Sequence, residues 1–204
     1  MNKSDFTDKL SKDFYLADVL TVAKNLLGKT FVKAGSNKIL SGKIVEVEAY
    51  NGLMDEASHS FNGMTKRNEI MFKQGGLLYV YFTYGMHFCS NIVTGKEGDG
   101  CAVLIRGIEP IDGIKQMAKN RYGKTALTGK ENINLTNGPA KLTQAFGIGR
   151  KDNGIDMTGN EIYILDSKNI HSKKISVSKR IGIKKSVDLP WRFYITDNPF
   201  VSGK

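Results

Sequence analysis

Apolar residues recur along the chain with two periods, and the switches between them mark out the elements. Val19, Leu20, Val22, Ala23, Leu26 and Leu27 fall on one stripe of a helix predicted over 17–27, and Gly28 suits its C-terminal stop. A strand begins at Thr30 and runs to Lys33. A longer one, 40–50, places Val45, Val47 and Ala49 on one side and Ile44, Glu46, Glu48 and Tyr50 on the other. Residues 51–74 lose any period and are polar, so they read as a surface loop whose length favours a functional role. Two strands, 77–83 and 86–93, are joined at Tyr84-Gly85, and 102–108 is another. After Pro110, Ile114, Met117 and Ala118 sit at helical spacing. Asn137-Gly138-Pro139 opens a further helix, with Gly147 past its end. The last strands are expected at 161–166, 175–183 and 192–196. Strands and helices do not alternate regularly, which predicts an α+β fold with a mostly antiparallel sheet. With no internal repeat and no linker composition, the chain is expected to form a single domain over 1–204.

Charge adds a partner class to this picture. The chain of 204 residues carries 30 Lys+Arg against 20 Asp+Glu, a net charge of +10, which favours an anionic partner such as nucleic acid, acidic lipid or acidic protein. No apolar run has the length of a membrane span, and the N-terminal residues lack the apolar core of a signal peptide, so a cytoplasmic protein is expected. The two cysteines, Cys89 and Cys101, do not make a disulfide scaffold and read as small buried residues in a reducing compartment.

Several residues could carry chemistry. Glu48 shares a strand side with Glu46, and a carboxylate entering a cleft from a half-buried strand is a candidate general base. From the pattern alone, both glutamates facing water is the ordinary outcome. Tyr79 and Tyr81 share one face of their strand and Tyr84 marks the turn. Such rings stack on nucleic-acid bases, although a tyrosine-rich core hairpin has the same appearance. Thr65-Lys66-Arg67-Asn68, Lys179-Arg180 and Lys184-Lys185 are short basic clusters suited to phosphate oxygens. His59, His87 and Cys89 could be imagined as metal ligands, but their spacing matches no common zinc pattern, so no metal is expected. The chain has no Gly-x-Gly-x-x-Gly, no phosphate loop and no Gly-x-Ser-x-Gly elbow, which counts against dinucleotide, nucleotide-triphosphate and serine-hydrolase chemistry.

An ordered set of short segments resembles the alkyladenine (3-methyladenine) DNA glycosylases. It comprises Val47-Glu48-Ala49-Tyr50, Asp55 to Ser60 with His59, Thr65 to Asn68, Met71-Phe72, Leu78 to Tyr81, Tyr84-Gly85-Met86, Phe88-Cys89 with Asn91, Leu104 to Arg106, Glu109-Pro110, Asn137 to Pro139 and Arg192 to Tyr194. The resemblance runs from about residue 17 to about residue 200 and implies one domain with a curved, mostly antiparallel sheet and flanking helices. It implies Glu48 as general base, with Arg106 and the backbone carbonyl of Ile181 holding the attacking water. Tyr50, His59 and Tyr81 would sandwich and read a flipped base, and Asn91 would exclude a 2-amino group. Tyr84 would wedge into the duplex, while Lys66, Arg67 and Asn68 would contact DNA. The chain departs from the family pattern at His87, where mammalian members carry tyrosine, at Leu53, where many carry proline, and in a slightly longer loop at 95–98.

The implied reaction is extrusion of an alkylated or deaminated purine from double-stranded DNA and hydrolysis of its base–sugar bond, without cofactor, metal or covalent imine. The implied actor is a monomer in the cytoplasm, nucleoid-associated if the cell is bacterial. A nucleic-acid-binding module without chemistry is the competing reading, since it explains the charge and the tyrosines but gives the Glu48–Arg106 pair no task. A metal-dependent hydrolase using His59, His87 and Cys89 is a third.

Overall fold

The computed structural model describes residues 9–35, 38–83 and 85–203. Its frame is one antiparallel sheet built from β1 (Thr30–Ala34), β2 (Ile39–Tyr50), β3 (Leu78–Thr83), β4 (His87–Thr94), β5 (Cys101–Asp112), β6 (Ile162–Leu165), β7 (Ile175–Ser178) and β8 (Arg192–Ile195). The strand order is β3-β4-β5-β2-β1-β6. β8 pairs with the second half of β2 and with β7, so β2 serves two neighbours on one flank, β1 at its start and β8 at its end. The sheet curls, in keeping with the α+β expectation.

Helices cover one face. α1 (Lys12–Leu16) precedes α2 (Val19–Leu26), which the Asp18 carboxylate caps by accepting from the Leu20 and Thr21 backbone N–H groups at 2.9 and 3.2 Å. α3 (Ile114–Tyr122), α4 (Gly129–Ile133) and α5 (Pro139–Phe146) follow. The buried stripe of α2, Val19, Val22, Ala23 and Leu26, joins Leu142, Ala145 and Phe146 of α5 over Ile44, Val47, Ile92, Val103 and Ile105 of the sheet. Because side chains alternate along a strand, the residues between these apolar ones are delivered to the opposite face. There Tyr79 stands opposite Asn91, Asn91 opposite Leu104, Leu104 opposite Glu48 and Glu48 opposite Arg192, a row that crosses the sheet.

Three expectations are corrected. The pairing of β2 with β5 shifts register between Ile44 and Val47, so Ile44 joins the main core with Val47 and Ala49, while Val45 packs instead with Phe200 and Val201. The strand beginning at Ile175 ends at Ser178 rather than running to 183, because Arg180 is drawn inward to Asp55 and takes the chain out of the ladder. The strand expected at 102–108 continues to Asp112 through Pro110, whose missing N–H is tolerated where Gly42 and its neighbours adjust register. Apolar periodicity marks neither α1 nor α4. A capping box at Thr128 and Glu131 is the local signal for α4.

Candidate active site

Both glutamates of β2 are completely buried; neither faces water. One oxygen of Glu48 accepts the backbone N–H of Ile181 at 2.7 Å. The other accepts the Tyr50 hydroxyl at 2.9 Å and Nη1 of Arg106 at 3.3 Å. A buried carboxylate is tolerated only when such donors and a cation replace its water. Burial opposes the charge on Arg106, but Glu48 and Glu46 beside it outweigh that and raise its pKa, so it stays cationic.

Tyr50, Arg106 and Ile181 line a cleft of about 600 Å³, and Glu48 is buried behind them. Tyr79 and Tyr81 stack with ring centroids 5.5 Å apart, and the His59 ring meets Tyr81 edge-on at 4.5 Å. The Tyr79 hydroxyl is 3.1 Å from Nδ1 of His59. Loss of solvation, reinforced by the Arg67 charge, pushes the His59 pKa below its ordinary value. The buried Asn91 donates from its side-chain amide to the Tyr79 carbonyl at 3.3 Å and lines the same cleft. The sheet thus gathers Glu48, Tyr50, Tyr81, Asn91 and Arg106, and the loop after β2 brings His59 over them. Ile181 arrives from the loop after β7, with the exposed Lys184 and Lys185 at the rim.

The 51–74 loop is ordered by Asn68. It is only 3% exposed; its side chain accepts from the Thr65 backbone and hydroxyl and donates to the carbonyls of His59 and Gly63. Its amide is consumed inside the protein, so the side chain braces the turn that seats His59 rather than standing free with the basic cluster. Lys66 and Arg67 are exposed as expected and border a second groove with Arg150 and Phe82. Tyr84, expected as the wedge, lies outside the described residues.

Arg180 is a second correction. Its local sequence reads as a phosphate-binding pair with Lys179, yet the side chain is buried. It makes a bidentate pair with Asp55, donates to the Ala49 carbonyl at 2.9 Å and lies 4.6 Å from the Tyr50 ring centroid and 5.4 Å from that of Trp191. This latch holds the loop that carries Ile181 against the strand that carries Glu48. His87 stands away from the cleft floor, 3.5 Å from the Gln144 amide, and Cys89 and Cys101 are free and buried. Among the described residues no three of His, Cys, Asp and Glu converge as a metal site, and no helix is long and apolar enough to cross a membrane.

Comparison with known proteins places this geometry in a lineage. The family model described as methylpurine-DNA glycosylase matches residues 13–199. The chain belongs to the methylpurine-DNA glycosylase family. Relatives that carry the name 3-methyladenine DNA glycosylase include one from Alkaliphilus oremlandii, 48% identical over 96% of this chain and 100% of its own length. One from Clostridium novyi is 48% identical over 96% of this chain and 99% of its own, and one from Francisella tularensis subsp. tularensis is 52% identical over 91% and 94%. Membership in the methylpurine-DNA glycosylase family makes the chain a DNA-repair enzyme that acts on DNA as an N-glycosyl hydrolase.

Proposed function

We propose that this enzyme turns alkylated or deaminated purines, of the 3-methyladenine and hypoxanthine class, out of double-stranded DNA and hydrolyses their N-glycosidic bond with a water activated by Glu48. The observation that carries this reading is the fully buried Glu48 carboxylate, held by Ile181, Tyr50 and Arg106, which line an aromatic-walled cleft. A base within a duplex is out of reach of any such group, so the nucleotide must be extruded, at a cost of a few kcal/mol that is least for a damaged base. Stacking against Tyr50, Tyr81 and His59 returns about 1–3 kcal/mol per contact. A purine made cationic by alkylation gains further from aromatic faces.

In the reaction the water oxygen bonds to the anomeric carbon and the base–sugar bond breaks, its electron pair leaving with the base. The water proton passes to Glu48, whose charge also stabilises the positive charge developing on the sugar. General-base assistance of this kind contributes about 10²–10⁴-fold. A cationic purine departs neutral and needs no acid, whereas hypoxanthine leaves as an anion that takes its proton from solvent. Arg106 and the backbone carbonyl of Ile181 are suited to hold the water. Asn91, on the cleft wall, is assigned the exclusion of a 2-amino group, and Tyr84, between Thr83 and Gly85 in sequence, is assigned the wedge. Lys66 and Arg67 supply phosphate contacts. A single copy is the acting unit in this reading, in the cytoplasm or at the nucleoid of a bacterial cell.

Glu48→Gln is the deciding variant. Single-turnover release of 3-methyladenine and hypoxanthine from duplex DNA should be abolished, while affinity for a duplex with an abasic-site analogue is retained. Near-normal release would place the base elsewhere.

A further inference from the structure

A second buried carboxylate, two residues before Glu48 on the same side of β2, has no part in the chemistry above. Glu46 is fully enclosed. Its Oε1 accepts from Nε of Arg106 at 3.1 Å, Nε of Arg192 at 2.7 Å and the Ser202 hydroxyl at 2.9 Å; its Oε2 accepts the Ser202 backbone N–H at 2.6 Å. The bulge in β2 sets it there, opposite Gly107, where any Cβ would come within 2.6 Å of the Phe200 carbonyl. The absent side chain is what lets the 200–202 segment lie across the strand. Ser202 closes a ring, since its hydroxyl also accepts from Nη2 of Arg106 at 3.2 Å and its carbonyl accepts from Nη2 of Arg192 at 2.8 Å.

Arg106 is therefore shared. Its Nε and Nη2 edge is taken by Glu46 and Ser202, and only Nη1 reaches Glu48, in the longest bond of the set at 3.3 Å. A guanidinium free to choose beside a carboxylate takes two short parallel bonds. Such a clamp would cover the oxygens of Glu48 and weaken it as a base. The charges of Glu46 and Glu48 also balance those of Arg106 and Arg192, which a dry interior requires. We infer that Glu46 is a positioning residue: with Ser202 it tethers Arg106 by its far edge, so that a single nitrogen faces Glu48 and no second guanidinium bond covers the carboxylate. The inference rests on Glu48 being the base.

The test combines Glu46→Gln, Arg106→Lys and their double variant, each assayed for single-turnover excision of hypoxanthine at saturating enzyme and for affinity toward the abasic-site duplex. Glu46→Gln should slow excision about 10²-fold, the scale of a small misplacement of a reacting group. Its affinity should stay within about twofold of the parent. Added to Arg106→Lys, which has no forked edge to tether, it should cost less than about twofold more. Wild-type excision by Glu46→Gln, or losses that multiply in the double variant, would overturn the inference. If Glu46→Gln does not fold, Ser202→Ala removes one hydroxyl from the ring and should slow excision about tenfold with the same non-additivity toward Arg106→Lys; parental excision there overturns it equally. Glu48→Gln run alongside separates the two claims, because activity in that variant defeats the proposed base whatever Glu46 does.

Discussion

The phenols around the cleft are held protonated, and that defines what each can offer. Burial raises the pKa of Tyr50, with Glu48 adding to it, and that of Tyr81; it pushes Tyr79 up to about 12. Tyr50 is thus a donor to Glu48, not a proton acceptor. Tyr50→Phe keeps the ring but removes a bond to a charged group worth about 1.5–3 kcal/mol. Excision should fall by about one order of magnitude or more in single turnover, with abasic-site affinity nearly unchanged. For His59, the lowered pKa means that its NMR titration midpoint should lie below 6.5. Arg67→Gln should move that midpoint up, since it removes the cation that disfavours a protonated ring. The sign for stability follows: the unfolded chain takes up the proton first as pH falls from about 6.5, so this group's contribution is present above that value and lost through the window down to its folded midpoint. Asn91→Ser should relax exclusion of 2-amino purines in a competition excision assay. At this scale Glu48, Tyr50, His59, Tyr81, Asn91 and Arg106 were legible because short ordered segments carried them. The task of Glu46 was not, because its partners Arg192 and Ser202 lie more than a hundred positions away along the chain.

Elements were legible wherever one face is apolar. The α2 stripe, the β3–β4 hairpin and the Gly138-Pro139 helix start all appear where periodicity and caps place them. What periodicity missed is set by long-range pairing. A regular alternation puts Val45 with Val47, but the bulge turns it toward Phe200 and Val201. The end of β7 likewise depends on Asp55, which no local pattern near 178 reveals. Lys179-Arg180 looks like a solvated basic pair in sequence, and only the fold shows one of the two buried. The Asp55–Arg180 latch should be costly to break on one side: Asp55→Asn leaves a buried guanidinium without its counter-charge, a loss of about 3–5 kcal/mol. Urea unfolding measures it. The double variant Asp55→Asn, Arg180→Met should lose less than Asp55→Asn alone.

On the scale of the whole molecule, one sheet divides labour between its two faces, with helices and core on one and the cleft on the other. The surplus of +10 is sequence-legible, whereas its placement is not. Lys66, Arg67 and Arg150 border the groove beside β3, and Lys184 and Lys185 border the cleft, while Arg106, Arg180 and Arg192 are spent inside on carboxylates. Binding carried by the exposed cations should weaken with salt. Lys66→Gln and Arg67→Gln should each reduce the slope of log affinity against log salt by about one, and leave single-turnover excision at saturation unchanged.

The transverse row from Tyr79 through Asn91, Leu104 and Glu48 to Arg192 also constrains how lesion choice can evolve. A one-residue insertion within β5 would exchange its two faces, sending Leu104 and Arg106 among the helices and Ile105 into the cleft. Strand length is therefore frozen in this part of the protein. New substrates are reachable by swapping individual side chains along the row, and by lengthening loops beyond its ends, but not by sliding one strand past another.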